Sequence, residues 1–276
     1  MPLISPETIQ NSLPPKGKRS TALRRYLKLE HDRTSWRSHW MELSDYLSPR
    51  RGRYLMEKQS TRGRKRNNNI IDNTATQAVR TLGAGLMSGM TSPARPWFRF
   101  GTMDPDMMDN DEVKVYMAEV EGICRAILHK SNFYNTAYTV YTELGTFGTA
   151  PLYRQRSFDS VIHFRPFTAG EYVIAEDHFG HIDTIGRSFT MTVAQVVGKF
   201  VMQPGGKFDW TGTSKATRDL WEKKNYDELV PIIHLIEPRH MSDRDVTKPD
   251  QVNMAFRSLY FEEGGTGDDV LFEGGY

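Results

Sequence analysis

The chain has 276 residues, of which 38% are hydrophobic and 11% aromatic, enough for one large folded domain or two ordinary ones. A single cysteine, Cys124, excludes an intrachain disulfide, and the sequence shows no export signal and no apolar run long enough to cross a membrane. The formal charge of +2 is unevenly placed, because residues 16–66 hold 16 Lys or Arg against 5 Asp or Glu, whereas residues 67–276 hold 20 against 28.

The first part of the chain is predicted to be helical after a short arm. Residues 1–19 contain four prolines and few apolar side chains, which is typical of a flexible arm. From Ser20 to Leu47 the apolar residues recur at helical spacing, and Ser48-Pro49 ends this helix or helix pair. The helical region is predicted to extend over residues 20–149, with a long loop at residues 49–69 that is polar, glycine-punctuated and strongly basic.

The basic loop supplies candidate contact residues. Its cations are suited to DNA phosphate, which they would contact by charge alone without reading bases. The acidic remainder of an adjacent subunit is a second candidate partner, and free solvated charge is the third interpretation. The candidate residues are Arg51, Arg53, Arg62, Arg64, Lys65 and Arg66.

A helix rich in small residues follows the basic loop. Asp72 is a candidate N-cap, and apolar residues at helical spacing run from there to about Met90. Gly85 and Gly89 lie inside this helix, where each glycine costs about 1 kcal/mol relative to alanine. We therefore expect another backbone to approach this helix closely and offset that cost.

An aromatic hook comes directly after the small-residue helix. The helical pattern stops at Pro93, and a second proline follows at Pro96. The hook itself consists of Trp97, Phe98 and Phe100. We expect it to lock the packing of the helix against a neighbour in the same subunit or in the next one.

The rest of the chain is predicted to pass from helices to strands. Two further helices are expected at Asp111 to His129 and at Asn132 to Leu144. Residues 150–276 consist of short β-branched and aromatic runs between Gly, Asp and Pro turns, interrupted by short helices at Thr190 to Phe200 and Ser214 to Lys224. Helices followed by mainly antiparallel strands predict an α+β fold.

Motifs for chemistry are weak throughout the sequence. The glycine pattern at residues 83–89 has the wrong spacing for a dinucleotide fingerprint and lies within a helix. The EDHFGHID stretch at residues 176–183 holds metal-ligating residue types, but it fits a hairpin turn better. We therefore predict no cofactor, no metal and no enzymatic activity. A hydrolase built on scattered His and Asp has only the availability of those residues in its favour.

Three blocks of the sequence resemble the portal proteins, or head-to-tail connectors, of short-tailed bacteriophages. They occur in the expected order and spacing, and the similarity covers most of Trp36 to Tyr276. The blocks are Trp36-x-x-x-Trp40-x-x-Leu43-x-x-Tyr46-Leu47-x-Pro49-x-Arg51, then Ile71-Asp72-x-Thr74-Ala75 through Gly85-Leu86-x-Ser88-Gly89-x-Thr91-Ser92-Pro93-x-Arg95-x-Trp97-Phe98, and Tyr141-x-x-Leu144-x-x-Phe147-Gly148-Thr149-Ala150, continued by Ile232-Ile233-His234-x-Ile236-x-Pro238-Arg239.

The resemblance implies a non-enzymatic subunit of a ring, commonly twelve-fold, that is assembled in the host cytoplasm and sits at one capsid vertex of the virion. Such a ring is the channel for double-stranded DNA during packaging and ejection. It also docks the packaging motor, or terminase, and mounts the tail proteins. Family members are longer, so the resemblance implies that this sequence corresponds to the N-terminal, mainly wing-like part. The alternative is a nucleic-acid-binding module that uses the basic N-terminal segment.

Overall fold

The computed structural model describes residues 18–51, 70–265 and 267–276. The chain divides into two compact units, Met1–Thr34 with Glu171–Tyr276, and Ser35–Gly170. We call the first the sheet unit and the second the helical unit. The predicted boundary at residue 150 follows a change in sequence texture, whereas these units divide the chain at residues 34 and 170.

The described residues form helices first and then seven strands, all of them paired antiparallel, which confirms the predicted α+β class. In chain order the elements are α1 (Lys18–Asp32), α2 (Thr34–Leu47), α3 (Thr74–Met90), α4 (Pro105–Asp109), α5 (Asp111–Lys130), α6 (Phe133–Phe147), β1 (Leu152–Ser157), β2 (Val161–Pro166), β3 (Tyr172–Glu176), β4 (Ile182–Thr192), α7 (Val193–Val196), α8 (Lys215–Glu222), β5 (Leu229–Pro238), β6 (Phe256–Glu262) and β7 (Phe272–Gly275). A π-helical turn, Val197–Val201, continues α7, and short 3-10 turns lie at Met241–Asp243 and Gln251–Asn253.

Most boundaries fall within a few residues of the predicted ones, and the differences have local causes. The first helix begins at Lys18, inside the predicted arm. The helix predicted from Thr190 begins at Val193, because β4 continues to Thr192, whose side chain then caps α7 with Gln195 in a reciprocal pair of hydrogen bonds. The short helix α4 was not predicted; Asp104 caps it and Pro105 occupies its first turn.

The sheet unit is a meander of five strands in the order β3-β4-β5-β6-β7. One face of the sheet packs against α1, and the other against α7 and its π turn. Each face therefore has its own apolar cluster. The α1 cluster contains Ala22, Tyr26, Leu29, Val173, Ile233, Leu235, Leu259 and Phe261, and the α7 cluster contains Val193, Val196, Val197, Val201, Val230, Ile232, Tyr260 and Leu271.

A glycine in β4 lets α1 approach the sheet closely. A Cβ on Gly186 would lie 2.9 Å from the Tyr26 ring and 3.0 Å from Val173. The Tyr26 side chain is only 4% exposed, and this burial raises the pKa of its phenol. The ring of Tyr26 thus takes the space that any larger residue at position 186 would fill.

The first turn of α1 is hydrogen-bonded to the end of β6 and to the residues that follow it. Arg19 is 6% exposed, and its guanidinium donates hydrogen bonds to the carbonyl oxygens of Glu262, Glu263 and Gly267 over 2.9–3.2 Å. Its own backbone N–H donates to the carbonyl of Asp268. One buried side chain therefore joins residues that are more than 240 positions apart in the sequence.

Glu273 on β7 provides a second link between α1 and the sheet by forming ion pairs with two cations. Lys18 lies 2.7 Å from one of its oxygens and Arg239 lies 2.6 Å from the other. Burial alone would raise the pKa of Glu273, but hydrogen bonds from Lys18 and Arg239 bring that pKa below its usual value. The carboxylate is thus held in its charged form between α1 and the end of β5.

The helical unit is built around the contact between α3 and α6 and a two-stranded hairpin, β1–β2. Asn132, just before α6, extends this hairpin with its side chain, which donates to the carbonyl of Phe164 and accepts from the N–H of the same residue. Gly148 ends α6 in the left-handed conformation, with φ of 78°. A small buried cluster of Trp40, Phe147 and Ala169 supports this arrangement.

Candidate functional site

Of the six candidate contact residues in the basic loop, Arg51 is the one within the described part of the chain, and it makes an internal contact. Its Nε lies 3.2 Å from a carboxylate oxygen of Glu143, whose side chain is 1% exposed. The other oxygen of Glu143 accepts a hydrogen bond from the Thr168 hydroxyl at 2.7 Å. Removing Arg51 would leave a buried carboxylate without this cation, so its role in the structure is to balance Glu143.

The remaining candidates in the basic loop lie outside the described residues. Their contribution to function therefore stays a prediction from sequence and charge. They are Arg53, Arg62, Arg64, Lys65 and Arg66.

The small-residue helix makes its close contact at a different glycine from the two that were singled out. A Cβ on Gly83 would lie 2.9 Å from the Thr142 side chain of α6, and a Cβ on Gly145 would lie 2.6 Å from Leu82. A side chain of the other helix therefore occupies the space beside each of these two glycines. A Cβ built on Gly85 or Gly89 meets no atom of the described chain within 4 Å. That these two glycines form a packing surface stays a prediction, and the same-chain contact of α3 lies at Gly83.

The aromatic hook lies against the start of α6. The Trp97 ring stacks on Phe133, with centroids 5.8 Å apart and planes within 9°, and its indole N–H lies 3.4 Å from the Tyr134 hydroxyl. Phe98 contacts Trp97 edge-on at 4.8 Å, and Phe100 contacts Phe98 at 5.5 Å. Trp97 and Phe98 are half-buried, whereas Phe100 is exposed.

Both α3 and α5 leave apolar side chains in solvent. On α3, Leu82 is 45% exposed and Met90 is 58% exposed, and Gly85 and Gly89 are exposed as well. None of the 20 residues of α5, all of them described, is buried. Val115, Tyr116 and Ile123 of that helix are 59%, 62% and 61% exposed. We call the exposed apolar residues of α3 and α5 the open helix faces.

A polar cluster in the sheet unit combines a serine with a histidine. His234 is 3% exposed, and its Nε2 lies 3.0 Å from the Ser258 hydroxyl. Its Nδ1 lies 3.5 Å from Nε of Arg187. Since an arginine can only donate, Nδ1 accepts and the ring proton lies on Nε2, which therefore donates to Ser258. This is the opposite polarity from a serine nucleophile and its general base, in which the histidine must take the serine proton.

The electrostatics of this cluster agree with that assignment. Burial, together with the charges of Arg187 and Lys199, lowers the pKa of His234 from 6.5 to about 3. The imidazole is therefore neutral at physiological pH. His234 is a poor general base for a hydrolase, because its proton lies on Nε2, the nitrogen that faces Ser258, and because Arg187 and Lys199 disfavour a second proton.

The potential metal ligands among the described residues are scattered. Within residues 18–51, 70–265 and 267–276, no three His, Cys, Asp or Glu side chains are grouped closely enough to hold a metal ion. The EDHFGHID stretch forms the β3–β4 turn, where Asp177 accepts hydrogen bonds from the N–H groups of Phe179 and His181. Of the helices in those ranges, none combines the length and apolarity needed to span a bilayer.

Comparison with known proteins defines the class of this α+β chain. Residues 19–276 match the family model described as "Bacteriophage head to tail connecting protein", and the chain belongs to that family. It is 45% identical over 258 residues to the "Probable portal protein" of Bordetella phage BPP-1, which covers 94% of this chain and 44% of the relative. It is 39% identical over 254 residues to the "Portal protein" of Salmonella phage epsilon15, covering 92% and 44% respectively. The chain thus spans less than half the length of these two relatives.

Some residues that matter in the structure carry no local sequence signal. Glu143 is the exception, because it is the single charged residue of the 15-residue helix α6, and this isolation was an available signal of its burial. Arg19 stands in a basic stretch that suggests solvent exposure, although its side chain is buried. Gly83 lies in the same glycine pattern as Gly85 and Gly89, and only the position of α6 distinguishes the three.

Proposed function

We propose that this chain is the N-terminal part of a portal subunit, which assembles with copies of itself into a ring at the capsid vertex of the virion. The ring passes double-stranded DNA during packaging and ejection and attaches the packaging motor, or terminase, and the tail and capsid proteins. Assembly takes place in the host cytoplasm. A twelve-fold ring is the copy number expected from the resemblance to portal proteins, and the role is structural rather than catalytic.

The observation that carries the assembly proposal is the pair of open helix faces. Apolar side chains such as Tyr116 and Ile123 are more than half exposed on a helix of 20 residues that buries none. Isolated exposed apolar residues are normal, but several on one long helix point to a protein partner. Gly85 and Gly89 add a stretch of α3 where another backbone can come close. In a ring of identical subunits, the partner of these faces is the next copy.

Assembly is tested by measuring particle mass over a range of protein concentrations, with electron microscopy of the same samples. The chain should associate, and Ile123→Asp should weaken this association because it places a charge on the open face of α5. Val246→Asp is the matched control, since Val246 is a similarly exposed apolar residue of the sheet unit, at 68%. A chain that stays monomeric at every concentration contradicts the proposal.

DNA passage is supported by the charge of the N-terminal segment. A protein past which any sequence slides needs phosphate contacts and no base readout. Binding to duplex DNA should therefore weaken steeply with salt and should be equal for unrelated sequences. The double variant Arg64→Gln with Arg66→Gln should reduce the salt slope by up to about two, whereas Lys223→Gln with Lys224→Gln should leave it unchanged.

The nucleic-acid-binding module remains the second candidate, because its basis is the same excess of 16 cations over 5 acidic residues in residues 16–66. Particle mass separates the two proposals. A portal subunit should form large closed assemblies, whereas a binding module should remain a monomer or dimer that still binds DNA. Sequence-dependent affinity would favour the module.

A further inference from the structure

A cavity of about 290 Å³ opens in the sheet unit between the π turn after α7 and the last two strands. Lys199 and Phe200 of the π turn form one side. Ser258 and Tyr260 of β6, with Phe272 and Gly274 of β7, form the floor and the other side. Gln251 of a 3-10 turn, Gly275 of β7 and Tyr276 complete the lining, and all of these residues belong to the sheet unit.

The charge around this cavity is positive. The Lys199 ammonium lies 4.8 Å from the centre of the Tyr260 ring and 5.1 Å from that of Phe200. Arg187 lies behind the floor, 4.4 Å above the Phe189 ring. Burial and the charge of Arg187 both lower the pKa of Lys199, so the two cations repel one another across this site.

No acidic side chain lines the cavity in the described part of the chain. Glu262 is on the same strand as Tyr260, two residues further on. Its oxygens accept hydrogen bonds from the Ser214 N–H and the Thr217 hydroxyl, at the start of α8. This carboxylate is therefore engaged in capping a helix, and it does not line the cavity.

The hydrogen bonds behind the floor determine what the cavity offers. His234 donates from Nε2 to the Ser258 oxygen, as its contact with Arg187 requires. Ser258 is 3% exposed and lines the cavity, so its hydroxyl hydrogen is available for an acceptor there. The positive charge of Arg187 polarises the hydrogen bonds that run from Arg187 through His234 to Ser258, so that each group donates to the next. The cavity thus presents a hydroxyl donor on its floor and an ammonium donor on its rim.

We propose that this cavity binds a small oxyanion, with Lys199 and Ser258 as its donors. The ligand class is a phosphate-type anion, whose oxygens accept from both groups and whose charge relieves the repulsion between Lys199 and Arg187. The aromatic side chains of Tyr260, Phe200 and Phe272 line the cavity beside these two donors. This site goes beyond the proposed role in ring assembly and does not depend on it.

Inorganic phosphate is the probe for this site, titrated into the purified chain at constant ionic strength and followed by calorimetry and by the imidazole resonances of His234. Phosphate should bind and shift those resonances, and acetate should bind more weakly because it carries less charge. Lys199→Gln should weaken phosphate binding by at least about ten-fold, since it removes a charged donor. Lys207→Gln, an exposed lysine outside the cavity, is the matched control and should bind as the wild type does.

Ser258→Ala separates a specific site from general attraction to positive charge. It keeps both cations but removes the floor donor, and should weaken binding by roughly five- to ten-fold. Circular dichroism confirms that each variant is folded. Absence of phosphate binding to the wild type overturns the proposal, and so does equal binding by Lys199→Gln and Lys207→Gln. If acetate binds as tightly as phosphate, the assigned ligand class is wrong.

Discussion

The sheet unit and the helical unit bury their apolar residues in different ways. The five-stranded sheet has apolar clusters on both faces, with Ala22, Ile232, Ile233 and Leu235 fully buried. In the helical unit, α5 buries none of its residues and α3 buries only Val79 and Gly83. A unit with two covered faces carries its stability within the chain, whereas the exposed apolar helices are the surface on which the assembly proposal depends.

Because of this contrast, mutations in the two units should have different effects. Changes in the sheet unit should act on folding of the chain itself. Changes on the open helix faces should leave folding nearly unaltered and act on assembly, as proposed for Ile123→Asp. Four stability measurements test this difference between the two units.

The largest effect is expected for Arg19→Met. This change keeps an apolar stem but removes the hydrogen bonds to the carbonyls of Glu262, Glu263 and Gly267. The free energy of unfolding should fall by about 4 kcal/mol, because the buried carbonyl of Glu262 and the partly buried carbonyls of Glu263 and Gly267 all lose a charged donor. Urea denaturation measures the change, with the exposed Arg24→Met on the same helix as control. Equal stability of the two variants would show that the fastening of α1 contributes little to the sheet unit.

The next effect, which is smaller for each unit of pH, is a pH dependence centred on His234. The unfolded chain takes up a proton near pH 6.5, whereas the folded histidine resists protonation until about pH 3. Its contribution to stability is therefore complete above pH 6.5 and is lost as the pH falls between these values. Each pH unit in that window should lower stability by about 1.4 kcal/mol.

Denaturation at a series of pH values tests this window. His234→Asn should flatten the dependence below pH 6.5, since the buried group no longer titrates. The control is His163→Asn on the exposed face of β2, which should retain the wild-type slope. An unchanged slope in His234→Asn would assign the acid sensitivity to other groups.

A moderate effect is expected for Trp97→Ala in the helical unit. The lost contacts are the stacking on Phe133 and the edge contact with Phe98. Because Trp97 is half-buried, the loss should be about 2 kcal/mol, below the range for a fully buried tryptophan. Phe158→Ala is the control, since Phe158 is fully exposed at the hairpin tip. If denaturation of the two variants is the same, the hook does not stabilise α6.

The smallest effect has opposite signs at two neighbouring glycines. Gly85→Ala should stabilise the isolated chain by up to about 1 kcal/mol, because alanine favours the helix and its Cβ meets open space. Gly83→Ala should be neutral or destabilising, since its Cβ would lie 2.9 Å from Thr142. Thermal denaturation measured at low protein concentration compares the two. A destabilising Gly85→Ala would contradict the open face on α3.

Secondary structure was largely predictable from local patterns. Thr192 and Ser214 carry capping side chains ahead of α7 and α8, and the EDHFGHID turn joins two β-branched runs. The prediction of Asp72 as the N-cap of α3 is off by one residue, because the N-cap is Asn73; the carboxylate of Asp72 accepts from the N–H of Thr74, the first residue of the helix. These features depend on neighbours in sequence, which are visible without a structure.

Tertiary placement was less predictable, because it depends on residues far apart in the chain. The assignment of α1 to the sheet follows from Tyr26 meeting Gly186, and neither position alone indicates the other. Similarly, the choice among Gly83, Gly85 and Gly89 is made by Thr142 and Tyr138 on α6. Arg51 was expected to contact a polyanion or another subunit, and its partner in this chain is Glu143, 92 positions away.

The fastening of α1 by Arg19 also constrains the order of events during synthesis on the ribosome. The helical unit is one continuous stretch, Ser35–Gly170, so all of its residues emerge before most of the sheet is made. The sheet unit is discontinuous, and Arg19 cannot meet the carbonyls of residues 262–267 until those residues, more than 240 positions later, have been translated. Until β6 has been made, the apolar side chains of α1 that pack against it, Ala22, Tyr26 and Leu29, therefore lack part of their cover.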